Sequence, residues 1–339
     1  MNNGHPICPK CGSTNIGFCK SRPYQPYTCR DCVRNFSFKT GSLLTQTKIP
    51  YSTWVLGIFI ASSNLRGLAG MKMYRDIEMK KQKRVWLLSH KIRKVWEYDP
   101  NVVFEGPVEV DEMFPDGIVK YYSKKKRAMR LEYLFAQGKS PQGNPEDGTM
   151  IMGMYDRATK TTITKVLWGY KDKKELYEMM RKWVLKHTAE NAVVITDGEL
   201  AYAPLNRMGR RHRYISHTDD QYSRDEMIDG EIVDITTNRI ETFWQMVRRS
   251  YHGTFYKMSI KHMQRYLDEV SGRRNVREMD TIEIMEWIAD RLFGRKLTYK
   301  QLTADNGLPS YANDGREMKA RWEAKKKGLE EYLDDSIPY

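Results

Sequence analysis

The sequence predicts a layered α/β domain, a mixed sheet covered by helices, preceded by a cysteine-rich module and a helical segment. Three observations carry this expectation. Four of the five cysteines form two Cys-x-x-Cys pairs near the N-terminus. Residues 50–98 space their apolar side chains as helices do. Residues 107–275 alternate strand and helix patterns, as layered α/β domains do.

The first module spans residues 1–48. Cys8-Pro-Lys-Cys11 and Cys29-Arg-Asp-Cys32 each let two thiolates point at one ion, and two such turns complete a tetrahedral four-sulfur site. In a reducing compartment this spacing indicates metal rather than disulfide. A region this small buries little apolar area, so a structural Zn²⁺ would supply most of its folding energy. Cys19 and His5 fall outside the pattern.

Over residues 50–98 the sequence predicts a short helix at Leu65–Asp76, a break near Ile77–Lys80 and a longer helix to about Trp96. Val85, Leu88, Ile92 and Val95 form its apolar stripe, while Lys80, Lys81, Lys83, Arg84, Lys91, Arg93 and Lys94 charge the remainder. A short helix, a tight turn and a basic helix fit a helix-turn-helix DNA-binding region, and equally a helical hairpin with a solvated basic face.

In the third region, 107–275, Val108–Met113 reads as a strand and Thr149–Tyr155 with Thr161–Trp168 as a hairpin. Asp172–His187 reads as a helix with Leu176, Met179, Met180, Trp183 and Val184 inward. Ala192–Thr196 reads as a buried central strand, and Asn238–Tyr251 and Ser259–Arg274 as helices. The polar segment Phe114–Gly148, with Lys124–Arg127, reads as a surface loop. Residues 276–339 read as a charged helical tail, in which Ile282, Met285, Ile288 and Leu292 mark one packed helix and Arg316–Asp335 a solvated one.

The formal net charge of +14 favours a polyanionic partner, nucleic acid or an anionic membrane. The longest apolar run, around Trp54–Ala61, falls far short of the roughly 20 residues that a spanning helix needs. The N-terminus lacks a signal-peptide pattern. The expectation is an intracellular, soluble protein whose partner is nucleic acid and not a membrane.

Carboxylates supply the candidate chemistry. The strand period of two places Glu109 and Asp111 on one face and Val108 and Val110 on the other. Asp197 ends the apolar run Val193-Val-Ile-Thr196, and Glu241 begins an amphipathic helix in which Ile240, Phe243, Trp244 and Val247 pack inward. Half-buried acids are costly unless paired or metal-bound, and Mg²⁺ takes oxygen ligands while leaving room for phosphate. Arg248 follows Glu241 by seven residues, on nearly the same helix face. Glu109, Glu112, Glu199 and Glu231 compete for these roles.

These stretches together resemble the insertion-sequence DDE transposases that carry an N-terminal zinc ribbon, the ISXO2-like group related to Merlin elements. The resemblance rests on Cys-Pro-Lys-Cys-Gly at 8–12, Val-Glu-Val-Asp-Glu at 108–112, Thr-Asp-Gly-Glu-Leu-Ala-Tyr at 196–202 and Thr-Asn-Arg-Ile-Glu-Thr-Phe-Trp at 237–244. It continues through Gly253–Ser259 and Lys261–Glu269. It implies a ribonuclease H-like catalytic domain in which Asp111, Asp197 and Glu241 bind Mg²⁺ or Mn²⁺. It also implies cleavage and strand transfer at transposon ends, with double-stranded DNA as partner and a homo-oligomer in the DNA complex. Such an enzyme works at the nucleoid of a prokaryote or in a eukaryotic nucleus. Relatives commonly carry Lys where this chain has Arg248, which keeps the charge but engages phosphate as a planar fork. Arg248, with Lys261, is expected to hold DNA phosphate. The rival expectations are a domesticated DNA-binding regulator without catalysis, a stand-alone nuclease and a zinc-ribbon RNA-binding factor.

Overall fold

The structure, a computed structural model, describes residues 5–114, 150–215 and 223–304 except 46, 65, 169, 171, 256 and 257, together with 123, 124, 128, 129 and 323. The loop expected over 114–148 and the helix expected over 316–335 lie, but for a few positions, outside the described residues. The chain forms two compact units, Met1–Glu97 with Val276–Ala304, and Tyr98–Asn275.

The first unit opens with a three-stranded antiparallel sheet, β1 (Ile16–Phe18), β2 (Tyr27–Cys29) and β3 (Asn35–Phe36). Its own core amounts to Cys8, Cys29 and Phe36, with Ile16, Tyr27 and Cys32 half-buried around them. Helices α1 (Tyr51–Ser63), α2 (Gly70–Asp76) and α3 (Gln82–Val95) follow. The stripe Val85, Leu88, Ile92 and Val95 is buried as its spacing predicts. The short helix starts later than expected, at Gly70, because Gly67 takes φ +107° and interrupts the helical path. Lys91 and Arg93, expected on the charged face, are buried too. Each satisfies backbone carbonyls of a neighbouring non-helical segment: the Lys91 amine donates to Leu43 O at 2.6 Å, and Arg93 donates to Leu68 O.

The helix Thr281–Arg291 begins with a capping box formed by Asp280 and Glu283. It packs into the same apolar cluster as α1 and α3, burying Ile288 and Leu292 with Met285 half-buried. Ile282, expected on that face, points outward and is 60% exposed. The Leu43 amide donates to Leu292 O at 2.9 Å, so residues after the α/β unit complete the core of the first one.

The second unit is built on a five-stranded mixed sheet in the order β6-β5-β4-β7-β8. Here β4 is Val108–Met113, β5 Met150–Asp156, β6 Thr161–Leu167, β7 Val193–Thr196 and β8 Arg211–Tyr214. Strands β4, β5 and β6 pair antiparallel, and β4, β7 and β8 pair parallel. Helix α4 (Lys173–His187), capped by Asp172, covers one face, packing Leu176, Met180, Trp183 and Val184 on Val108, Val110 and Met154. Helices α5 (Asn238–Ser250) and α6 (Ile260–Asn275) cover the other with Ile240, Phe243, Trp244, Val247 and Leu267 on Met113, Ile151 and Tyr155. A five-stranded sheet in which β5 alone runs against the other four, sandwiched between helices, is consistent with a ribonuclease H-like fold.

Among the described residues of the second unit, several elements were not anticipated. These include β8, the 3₁₀ helix Leu200–Met208, and the hairpin of β9 (Arg224–Ile228) and β10 (Glu231–Ile235). The hairpin turns on Asp229-Gly230, both at positive φ, a dipeptide favoured for tight hairpin turns.

Candidate functional site

Strand pairing places the first two acids. Strands β4 and β7 are parallel neighbours with Val108 opposite Val194 and Glu109 opposite Ile195. Continued along the strands, the same offset sets Asp111 beside Asp197. One carboxylate oxygen each from Asp111, Glu112 and Asp197 lies within 4.8 Å of the other two. Glu112, a competitor in the sequence, therefore joins the cluster.

Two of these acids, Asp111 and Glu112, are held from ionising freely. Burial, then the charge of Asp197, pushes the Asp111 carboxyl up to about 7, with Glu241 adding to the rise. The Glu112 amide and the Trp244 indole act against it. Glu112 is raised well above the usual carboxylate range, by burial first and then by Asp111, Asp197 and Glu199. Its Oε1 is buried without a hydrogen-bond partner among the described residues. Close acids with raised pKa values and an orphaned carboxylate oxygen are the environment that a bound cation relieves. All the donors are oxygens, which suits a hard divalent ion such as Mg²⁺ or Mn²⁺.

Neighbours hold the acids in place. The Glu199 amide donates to Asp197 Oδ1 at 3.2 Å, and Glu199 itself accepts from the Tyr177 hydroxyl. The Trp244 indole donates to Asp111 Oδ2 at 2.9 Å. Trp244 reaches this carboxylate because Asp111 pairs with Gly153 on β5. A Cβ at Gly153 would come to 2.7 Å from the indole ring and 2.8 Å from Ile240 Cδ1. The glycine thus permits the close approach of α5 to the sheet.

Glu241 lies in the first turn of α5, where its Oε1 accepts from Thr237 Oγ1 at 2.7 Å. It stands outside the 4.8 Å group, though near enough for its charge to act on Asp111. Arg248 is exposed two turns further along α5, and Lys261 is half-buried in the first turn of α6.

Glu109 shares Asp111's face but takes no place in the cluster. It is fully buried. Its Oε1 accepts from Arg157 Nε at 2.8 Å and Arg239 Nη1 at 3.0 Å, and its Oε2 from the amides of Arg239 at 2.9 Å and Ile240 at 3.1 Å. With its oxygens so engaged it is no competitor for metal. Glu231 is exposed at the start of β10.

In the first unit the four paired cysteines come together. Cys8 Sγ lies 3.5 Å from Cys32 Sγ, and Cys11 Sγ 3.6 Å from Cys29 Sγ. A disulfide would need about 2.05 Å. A tetrahedron with zinc–sulfur distances of about 2.3 Å has edges of about 3.8 Å, close to what the chain presents. Cys19 is elsewhere, bonded to Ser21. The cluster fits a zinc ribbon.

Comparison with known proteins bears on the second unit first. The model of the ISXO2-like transposase domain matches residues 103–275. The chain belongs to this family. The transposase domain thus coincides with the mixed sheet and its helices, and contains Asp111, Glu112, Asp197 and Glu241. The chain is also 24% identical over 247 residues to an uncharacterized protein in transposable element ISH50 of Halobacterium salinarum. That match covers 71% of this chain and 76% of the relative. Among the described residues no helix is long and apolar enough to cross a membrane.

Proposed function

We propose that this transposase cuts and joins DNA at the ends of its mobile element, using divalent metal held by Asp111, Asp197 and Glu241. The observation that carries the reading is the convergence of Asp111 and Asp197 from adjacent parallel strands, with orphaned Glu112, inside the family-matched domain. Mg²⁺ or Mn²⁺, when bound, would supply Lewis-acid activation of the attacking oxygen and stabilise the leaving one. The protein's part is to hold these acids fixed. Asp111 is oriented by Trp244, Asp197 by the Glu199 amide and Glu241 by Thr237. Glu112 stands ready as a fourth acid. Water attack at an element end frees a 3′-hydroxyl. That hydroxyl then attacks a target phosphodiester, forming one phosphorus–oxygen bond as another breaks.

Cys8, Cys11, Cys29 and Cys32 would hold a structural Zn²⁺, with no coordination position left open for chemistry. The ribbon and the helices of residues 50–98 would bind the element's ends as a helix-turn-helix-like region. Arg248 and Lys261 would hold phosphate, and two or more copies would act together on paired ends.

End cleavage and strand transfer by the full chain on duplex DNA test the reading. Asp111→Asn and Asp197→Asn should each lower both activities about a thousandfold or more. Full activity in either variant refutes the assignment, and DNA binding by the unaltered chain without Mg²⁺-dependent cleavage refutes the enzyme.

A further inference from the structure

The start of α5 departs from the usual pattern of helix ends. A helix leaves its first amides without intrahelical partners, and the side chain of the N-cap residue normally accepts from the second or third of them. Thr237 occupies the N-cap of α5 and is a residue type suited to the task, yet its side chain makes no capping bond. Its hydroxyl donates to Glu241 Oε1 instead, at 2.7 Å. The capping position is filled from another strand. Glu109 Oε2 accepts from the Arg239 and Ile240 amides, the second and third residues of the helix.

We infer that Glu109 is the N-cap of α5 in trans, and that this substitution releases Thr237 to position Glu241. Both are positioning residues. The argument rests on the reading of Glu241 as a functional acid, but the exchange of capping roles stands on the hydrogen bonds alone. A carboxylate near a helix N-terminus also meets the positive end of the helix dipole, so Glu109 is better suited than a hydroxyl to this buried place. Arg157 reinforces the arrangement. It binds Glu109 through Nε and the carbonyls of Asp234 and Thr236 through its terminal nitrogens, at 2.6 and 2.9 Å. Because Glu109 and Asp111 lie two residues apart on β4, one strand carries the first acid and anchors the helix that carries the third.

The consequence is a division that two substitutions separate. Amide hydrogen exchange over residues 238–241 of the full chain reads the cap, and the Mn²⁺ concentration giving half-maximal cleavage reads the position of Glu241. Glu109→Gln should speed exchange there about five- to tenfold and also raise the Mn²⁺ requirement roughly tenfold. Thr237→Val should leave exchange unchanged while raising the Mn²⁺ requirement to a similar degree. Thr237→Ser should behave as the unaltered chain in both. Faster exchange in Thr237→Val, or unchanged exchange in a folded Glu109→Gln, overturns the capping assignment. An unchanged Mn²⁺ requirement in Thr237→Val overturns the positioning role. If Glu109→Gln does not fold, exchange in Thr237→Val and in the unaltered chain still decides. Amides of Arg239 and Ile240 that exchange as fast as uncapped ends sink the idea. Absence of any cleavage by the unaltered chain defeats the enzymatic reading and leaves the exchange result to judge the cap.

Discussion

The two ligand clusters of this chain are built in opposite ways. The four sulfurs sit on two short turns of a sheet with almost no apolar core, so an ion held there would substitute for packing. The three acids sit on a sheet covered on both faces by apolar clusters, where packing comes first and the site is its product. In the cysteine module a bound ion would make the fold; in the mixed sheet, the fold makes a place that would suit an ion. The sulfurs are local in sequence and the acids are not, because a core large enough to desolvate a carboxylate needs distant elements.

The largest expected effect follows from the ribbon. Cys29→Ser, or removal of metal by a chelator, should abolish ordered structure in residues 5–45, since structural zinc contributes on the order of 10–16 kcal/mol to modules of this kind. The mixed sheet should keep its fold under the same treatment. Zinc content and hydrogen exchange of the two regions check this, and equal loss in both would show that their stabilities are not separate.

Next come the acids. Glu241→Gln should reduce strand transfer about a thousandfold and Glu112→Gln by much less. Both variants should melt no earlier than the unaltered chain when no metal is added, because each relieves repulsion. The reverse order of activities would make Glu112 the third ligand.

Gly153→Ala forces the Trp244 ring and Ile240 away from β5, as overpacking does. A cost of about 1–3 kcal/mol and a lower melting temperature are expected. Strand transfer should fall with it, since the same displacement draws the indole from Asp111. Unaltered activity would show that the close approach of α5 is not needed for the site.

A further effect concerns pH. The folded-state pKa of Asp111, about 7, lies above its ordinary value, so the protonated form is favoured on folding. Its contribution to stability is then complete below about pH 4 and is lost as pH rises towards 7. Without added metal, stability of the second unit should therefore decline through this window. The stabilisation by added Mn²⁺ should grow through it, because the ion displaces the proton. Melting curves at pH 5, 6, 7 and 8 with and without Mn²⁺ measure both.

Much of this was legible in the sequence for physical reasons. Cys-x-x-Cys spacing reports geometry within one turn. Asp111 and Asp197 were visible because an acid after an apolar strand run is expensive unless it has a purpose. Glu112 could be named only as a competitor, since the period of two sets it on the opposite face from Asp111, and only the folded strand end shows their oxygens converging. Glu109 looked like a ligand candidate because nothing local reveals Arg157 and the α5 amides, which lie 48 and 130 or more residues away. Strand β8, Arg-His-Arg-Tyr, carries no apolar alternation. It takes its place through pairing with β7 and through the 3.0 Å bond between Thr196 and His212. Burial lowers the pKa of that histidine to about 4, so it stays neutral there.

The return of Thr281–Arg291 to the first unit has a consequence during synthesis. The transposase domain is synthesised whole before the chain reaches residue 276, whereas α1 and α3 must wait for Ile288 and Leu292. At roughly 5–20 residues per second, that wait lasts on the order of ten seconds or more after α3 is made. During it, the cluster that α3 shares with α1 and α2 lacks the side chains of Ile288 and Leu292. The order of translation should therefore make the mixed sheet, and not the helical core of the first unit, the first of the two to be complete.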